Sequence, residues 1–327
     1  MWQLCTHIKV KSMRLIDFKD SFPTEKACKA AFKVQREEQG IICKKCQGRT
    51  HYWLKSKEMY QCKDNTCRFR TSLKSGTVME NSKLTYTHWF IAIHLMTSSK
   101  LSISALELQR QIGHKYYEPI WAMAHKLRLV MGKRDDGYSL EGCTELDEGY
   151  FSNSKQLETN EFTGKTEELK RGKGSQKKST VLVMNSFKPT TLSLISKKYS
   201  VNSVPKYLKM KVIENLTADT IGREVKKSLL PSVEPTTDDN PVYTKLKALT
   251  SKHTAHNVQK VNATKVLPWV HKAISNSKAI LIAVHKGVSG NYLQNYLNEY
   301  CFKYNRRNFG VNIFNRMLIC AVSYTWY

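Results

Sequence analysis

Two sets of residues in this chain are of types and spacings that do chemistry. Cys43 and Cys46 form one pair and Cys62 and Cys67 another, with fifteen residues between the pairs. Four thiolates arranged in two such pairs can close a tetrahedron around Zn²⁺, and the stretch between them is long enough for a β-hairpin. Four buried free thiols are the alternative. The second pair is separated by four residues where two are commoner, so its loop is the wider one. The other set is acidic. Asp147 lies in Glu145-Leu146-Asp147-Glu148, inside one strand candidate, and Asp238 and Asp239 end another. If those strands are neighbours in a sheet, Asp147 and one of the later pair converge at its edge. Two carboxylates so placed bind Mg²⁺ or Mn²⁺ through hard oxygen ligands, and ions held this way cut and rejoin phosphodiester bonds without a covalent enzyme intermediate. The competing reading is a solvated aspartate, or one paired with lysine.

Several elements are needed to position these groups. His51-Tyr52-Trp53-Leu54 and Glu58-Met59-Tyr60-Gln61 read as the arms of the hairpin, with Lys55-Ser56-Lys57 at its turn. The stretch from 76 to 135 reads as helical. Thr85 to Thr97 places Trp89, Ile93 and Met96 on one face, Ser104 caps a second helix that Gly113 ends, and Pro119 stands in the first turn of a third. Two helices joined at a glycine, the later one carrying His125, Lys126 and Arg128, suggest a helix-turn-helix; any compact helical trio has the same pattern. Beyond Leu140 strands alternate with helices. Strand candidates are Cys143 to Phe151, the continuous apolar run Ser179 to Met184, Tyr207 to Ile213, and Ser232 to Asp238. Helices are expected from Thr217 to Leu230, through Tyr243, Leu246 and Leu249, from Leu267 toward Val284, and from Ser289 to Arg307. Between the first two strands, Lys155 to Lys178 reads as a flexible basic loop suited to a phosphate backbone, with a solvated surface loop as the alternative. Its glycines lack the spacing of a nucleotide cradle.

Charge narrows the class of partner. Lys and Arg number 53 against 27 Asp and Glu, a net charge of +26. Such an excess repels itself in the compact state unless a polyanion relieves it, and nucleic acid is the foremost polyanion. Hydrophobic residues at 41% and charged residues at 24% fit a folded chain and argue against disorder. The longest apolar stretch, Trp89 to Ile93, is far short of the roughly 20 residues that span a bilayer, so no membrane is expected. Met1-Trp2-Gln3-Leu4-Cys5-Thr6-His7 has no feature of a secretory signal. Nine cysteines, four of them clustered, point to metal ligation in a reducing, intracellular setting. Cys5, Cys28, Cys143, Cys301 and Cys320 are scattered, and ordinary packing is expected of each.

The order of elements, with several local motifs, resembles the insertion-sequence transposases of the zinc-ribbon, ISXO-two-like (fifteen-ninety-five) family, related to the Merlin elements. The motifs that carry the resemblance run along nearly the whole chain: Cys43, Cys46, Cys62 and Cys67 followed by Ser75-Gly76-Thr77-Val78-Met79; Ile103 to Arg110 and Trp121 to Arg128; Glu145-Leu146-Asp147-Glu148-Gly149-Tyr150; Thr237-Asp238-Asp239-Asn240-Pro241-Val242-Tyr243; Leu267 to Lys278; and Tyr296 to Arg307. The resemblance implies an α/β, RNase H-like catalytic domain of the DDE type at 136–327. A zinc-ribbon segment at 1–75 and a helix-turn-helix-like DNA-binding unit at 76–135 precede it. It selects Asp238 over Asp239, because the family aspartate precedes a tyrosine by five positions, and it places Asn276 and Lys278 at the third catalytic position and the lysine beyond it. An amide oxygen can ligate Mg²⁺ but brings no charge, so Asn276 is expected to orient metal or substrate, with Lys278 on phosphate; a buried amide that fixes the helix is the alternative for Asn276. Two residues outside the ligand set carry expectations too: for Glu299 the family match points equally to a structural ion pair, which keeps it out of the ligands, and Glu148 is expected to have a lysine partner. The first cysteine pair lacks the family's proline, and Leu318 to Tyr327 matches no family segment, so a frayed or altered C-terminus is expected.

The expected activity is therefore that of a DNA transposase: Mg²⁺- or Mn²⁺-dependent cleavage at the element's terminal inverted repeats and strand transfer into target DNA. Because transfer joins two ends, a homodimer or larger assembly on DNA is expected, in the cytoplasm at the nucleoid. The alternative is a catalytically inactive, transposase-derived DNA-binding protein or repressor.

Overall fold

The computed structural model describes residues 13–152, 177–189, 203–257 and 266–327. Cys5, the start of the chain and residues 155–176 of the basic loop lie outside the described residues. The chain divides into two compact units, one formed by the residues up to Arg134 together with Arg306–Tyr327, the other by Asp135–Asn305.

The first unit opens with helices α1 (Leu15–Ser21) and α2 (Glu25–Gln39), neither anticipated from the sequence pattern. A three-stranded antiparallel sheet follows, β1 (His51–Leu54), β2 (Met59–Cys62) and β3 (Arg70–Ser72). The hairpin register sets His51 opposite Cys62 and Leu54 opposite Met59, as the two arms require. Arg36 of α2 is buried and donates to the carbonyls of Ser72, Leu73 and Ser75, which ties the helix to the end of β3. Helix α3 (Tyr86–Ser98) has a cap at Thr85, whose Oγ1 accepts from His88 N at 3.2 Å. Helix α4 (Ala105–Ile112) begins at the Ser104 cap and stops where Gly113 turns left-handed at φ 73°, and α5 (Tyr117–Asp136) holds Pro119 in its first turn.

The second unit is a mixed α/β sandwich. Its strands are β4 (Cys143–Ser152), β5 (Lys178–Pro189), β6 (Ser203–Ile213), β7 (Glu234–Asp238) and β8 (Thr254–His256). They form a five-stranded mixed sheet in the order β6-β5-β4-β7-β8. The long members β4, β5 and β6 pair antiparallel, whereas β7 and β8 run parallel to β4. Both faces are covered, and for that reason β5 reads as an unbroken apolar run. Val181 and Val183 pack toward Val270, Ala273 and Ile274 of α8 (Pro268–His285) and Leu293 and Leu297 of α9 (Gly290–Asn305). Leu182 and Met184 pack the other way, on Ile221 and Val225 of α6 (Ala218–Ser228) and on Leu246.

Three expectations are corrected. The helix foreseen through Tyr243 and Leu249 is a 3₁₀ turn at Pro241–Tyr243 followed by one short turn, α7 (Leu246–Leu249). Pro241 starts the first piece and supplies no backbone N–H to a longer helix. The fourth strand is joined by a fifth, β8. The C-terminus is not frayed: α10 (Asn312–Ser323) buries Phe314, Met317, Leu318 and Cys320, and Ala321 O accepts from Val78 N at 3.0 Å in the first unit.

Candidate active site and cysteine cluster

In β4 successive side chains alternate between faces, so Glu145, Asp147, Gly149 and Phe151 share one. Phe151 belongs to the core beneath α8, whereas Leu146 belongs to the core beneath α6. The shared face is therefore the one turned to α8, and each of its residues meets that helix in order. Glu145, only 3% exposed, accepts from Trp269 N at 2.7 Å and Val270 N at 2.9 Å. Helix α8 has Leu267 at its cap position and no side-chain cap of its own, so a carboxylate from the neighbouring strand takes the orphan donors of its first turn. At the far end Gly149 lets the helix come close. A Cβ there would stand 3.0 Å from Phe151 Cε2 and 3.3 Å from Ile274 Cγ1. Between these two fixed points lie Asp147 and His271, with Asp147 Oδ2 3.6 Å from His271 Nε2.

The second aspartate arrives through the parallel pairing of β4 with β7, which sets Glu145 opposite Thr236. Two residues further along both strands are Asp147 and Asp238. Their charges act on each other: burial first, then the charges of Glu148 and Asp238, push the Asp147 carboxyl up to about 7. Burial also raises Asp238, helped by Asp239 beside it, while Asn240 N donates to its Oδ1 at 3.3 Å. Burial holds the His271 imidazole below its ordinary value, although the charge of Asp238 pulls the other way. Two carboxyls held above their ordinary values therefore lie within electrostatic reach of each other, an environment that a divalent cation would relieve. His271 Nε2 is buried and has no hydrogen-bond partner among the described residues.

Glu148 points to the opposite face. It accepts from Tyr243 Oη at 2.8 Å and from Asn240 Nδ2 at 3.3 Å, so its partners are a phenol and an amide in place of the expected lysine. Glu299 is buried and pairs with Lys303 at 2.8 Å, the ion-pair member of the two readings the sequence left open for it. Asn276 is exposed on α8, five residues after His271, and its amide hydrogen-bonds the Tyr300 side chain of α9. Five residues turn an α-helix by about 140° from a whole revolution, so Asn276 and His271 lie on different faces. Lys278, seven residues after His271 and back on its face, has Nζ 5.4 Å above the Phe151 ring, and burial lowers its ammonium. His271 and Glu145 were missed as site residues by sequence reasoning. The signal for Glu145 was the period of two in Glu145-Asp147-Gly149; nothing in spacing alone marks His271.

In the first unit the Sγ atoms of Cys43, Cys46, Cys62 and Cys67 lie within 4.8 Å of one another and form a group that could hold a metal ion. Cys43 and Cys67 are 3.7 Å apart and Cys46 and Cys62 3.5 Å, close to the edge of about 3.8 Å that four Zn–S bonds of about 2.3 Å produce. Gln47 and Arg68, each following the second cysteine of its pair, both turn left-handed, at φ 61° and 47°. Backbone bonds, first from Cys46, lower the Cys43 thiol to about 7. A set of four thiols of which one ionises readily suits a soft divalent ion.

A family profile described as the ISXO2-like transposase domain matches residues 139–305, just over half of the chain. No curated protein matches. Among solved structures, the chain is similar to one described as "Crystal structure of the Mos1 Strand Transfer Complex", at 12% identity and a TM-score of 0.30, over 68% of this chain and 73% of that one. The matched span runs from the residue before Leu140 to the end of α9 and so takes in β4, β7 and α8 with Asp147, Asp238 and His271. By that match the chain belongs to the ISXO2-like transposase domain family.

Proposed function

We propose that this protein is a DNA transposase of the DDE type with an RNase H-like catalytic unit, cutting at its element's terminal inverted repeats and transferring the freed 3′-hydroxyls into target DNA. One observation carries the reading: β4 and β7 bring Asp147 and Asp238 within electrostatic reach of each other under α8, with the carboxyl of each pushed up. Asp147 and Asp238 would hold Mg²⁺ or Mn²⁺, which when bound supplies charge stabilisation at the phosphate and activation of the attacking water or 3′-hydroxyl. Glu145 and Gly149 hold α8 over the aspartates. Lys278, on that helix face, meets phosphate as a point charge, and Asn276, exposed on another face of α8, orients the substrate. Cys43, Cys46, Cys62 and Cys67 would hold a structural Zn²⁺ that fixes the hairpin, and this ribbon with α4 and α5 would grip the terminal repeats. A homodimer or larger assembly on DNA, at the nucleoid, follows from the need to join two ends.

The test is a nicking and strand-transfer assay on DNA carrying the repeats that flank the gene, in Mg²⁺ and in Mn²⁺. Asp147→Ala and Asp238→Ala should each abolish both steps while DNA binding persists. Activity unchanged in either variant overturns the assignment, and a parent protein that binds the repeats but nicks them in neither metal is the inactive, repressor-like alternative.

A further inference from the structure

We propose that Glu148 is a positioning residue: its carboxylate, held by Tyr243 and Asn240, clamps β4 to the turn after β7 and so sets Asp147 and Asp238 against each other. This rests on the reading of the two aspartates as the catalytic pair. The contacts form an unbroken path between them. Glu148 N donates to Asp147 Oδ1 at 2.8 Å. The Glu148 carboxylate accepts from Asn240 Nδ2 at 3.3 Å through one oxygen and from Tyr243 Oη at 2.8 Å through the other. Asn240 N in turn donates to Asp238 Oδ1 at 3.3 Å. Each aspartate is thus bonded to the backbone N–H of a residue whose side chain belongs to the clamp. The backbone ladder alone does not reach this far. It pairs Cys143 with Glu234, Thr144 with Pro235 and Glu145 with Thr236, and stops two residues short of the aspartates. Beyond it the clamp carries the register.

Local structure fixes the polarity of the central contact. Asn240 stands just before the 3₁₀ turn Pro241–Tyr243, and its Oδ1 accepts from Val242 N at 3.2 Å. With the oxygen taken by the turn, the Nδ2 donor is left to face Glu148, whose carboxylate supplies acceptors. Tyr243 anchors the other carboxylate oxygen from within the core beneath α6, where it is 1% exposed. The clamp therefore lies on the α6 side of the sheet, and the α8 side is left to the aspartates.

The experiment is nicking at saturating DNA, together with hydrogen exchange of the metal-free, full-length protein read by mass spectrometry over residues 238–244. Glu148→Ala and Asn240→Asp both open the clamp, the second by setting an oxygen against the glutamate while keeping the acceptor for Val242 N. Each should lower turnover about 10²-fold, the cost of roughly 1 Å of misplacement in an active site, with DNA affinity unchanged. Each should also speed exchange across the turn. Glu148→Gln, whose amide can accept from Asn240 and donate to Tyr243, should recover most of what Glu148→Ala loses. Combined with Asn240→Asp it reverses the polarity of the contact at unchanged net charge, so the double variant should nick faster than Asn240→Asp alone. Two residues that merely add stability would show no such rescue. Parent-like turnover and exchange in Glu148→Ala and Asn240→Asp, or a double variant no better than Asn240→Asp, overturns the clamp; if Asp147→Ala and Asp238→Ala are inactive, the aspartates still stand. A Glu148→Gln variant as inactive as Asp147→Ala would mean that the glutamate works by its charge, which overturns the positioning role as well. A parent that does not nick, or nicking indifferent to Asp147→Ala, overturns the aspartate reading and the present one together.

Discussion

Two glutamates in this chain do the same job in different surroundings, and the comparison shows what burial contributes. Glu25 accepts from Tyr86 N at 2.9 Å and Thr87 N at 2.7 Å at the start of α3, and Glu145 accepts from Trp269 N and Val270 N at the start of α8. Each carboxylate satisfies helix-terminal donors and lies at the positive end of the macrodipole. Against a modest burial that raises it, the bonds from Thr87 and Tyr86 hold Glu25 below its ordinary value. Glu145 is sealed under α8, and there burial wins over the same kind of bonds and carries its carboxyl up to about 7. Stability follows with a definite sign. The folded value lies above the unfolded one, so ionisation opposes folding, and the cost grows as pH rises from about 4.5 to about 7. At roughly 1.4 kcal/mol for each pH unit between the two values, the cost at pH 8 is on the order of 3–4 kcal/mol. Glu145→Gln keeps an acceptor oxygen and removes the charge. In metal-free protein its urea midpoint should match the parent near pH 4.5 and exceed it at pH 8; equal midpoints at both would show that Glu145 is not held in this state. Gly149→Ala acts by shape. Its methyl meets Phe151 and Ile274 at 3.0–3.4 Å, so it should destabilise by about 1–3 kcal/mol and lower nicking by tilting α8 off the aspartates.

At the scale of elements, what the sequence makes legible is what local rules determine. Ser104 and Gly113 bound α4, Thr217 caps α6 with an acceptor for Thr220 N, and the unbroken apolar run of β5 belongs to the centre of a sheet covered on both faces. The pairing of Asp147 with Asp238 was legible only as a condition, that the two strands be neighbours; β4 beside β7 meets it. The part that stayed hidden depends on partners distant in the chain. Helix α2 is polar overall and shows only Cys28, Phe32 and Arg36 to its interior, while Leu318 to Tyr327 followed no motif. These two ends find each other: α10 packs on α2 and α3. Phe314, 1% exposed, lies among Phe18, Phe22 and Phe90 with ring centroids 5.4–6.0 Å away. His271 stayed hidden for a similar reason, since only the seating of α8 on β4 decides which side chain of that helix reaches the aspartates. Phe314→Ala should cost about 3–5 kcal/mol, as a buried phenylalanine that leaves a cavity does. The check is denaturation followed by the fluorescence of Trp89, in the same unit and fully buried. An unchanged midpoint would mean that the C-terminal helix is not part of that core.

The whole molecule carries 53 basic residues against 27 acidic ones, so even complete pairing within the chain would leave 26 cations to find anions elsewhere. Several acids are already committed within the fold, Glu299 to Lys303 and Glu80 to Lys44 among them, and Glu145, Asp147 and Asp238 face one another's neighbourhood under α8. If the proposed function holds, adhesion to DNA and chemistry on it fall to groups of opposite sign, and salt separates them. Each phosphate neutralised by lysine or arginine releases condensed counterions, giving a slope of log affinity against log salt of about −0.9 per contact on duplex DNA. With 6–10 contacts the affinity should fall roughly 10³- to 10⁵-fold between 50 and 200 mM salt. Asp147→Ala and Asp238→Ala remove negative charge and no cation, so their slopes should equal the parent's while nicking is lost. Neutralising Lys226 and Lys227 of α6, if that helix follows the backbone, should lower the slope by up to about two contacts and leave Mn²⁺ binding at Asp147 as it was. A slope that changed in the aspartate variants would mean that the carboxylates take part in docking, and the division between a cationic surface that holds DNA and an anionic centre that cuts it would fail.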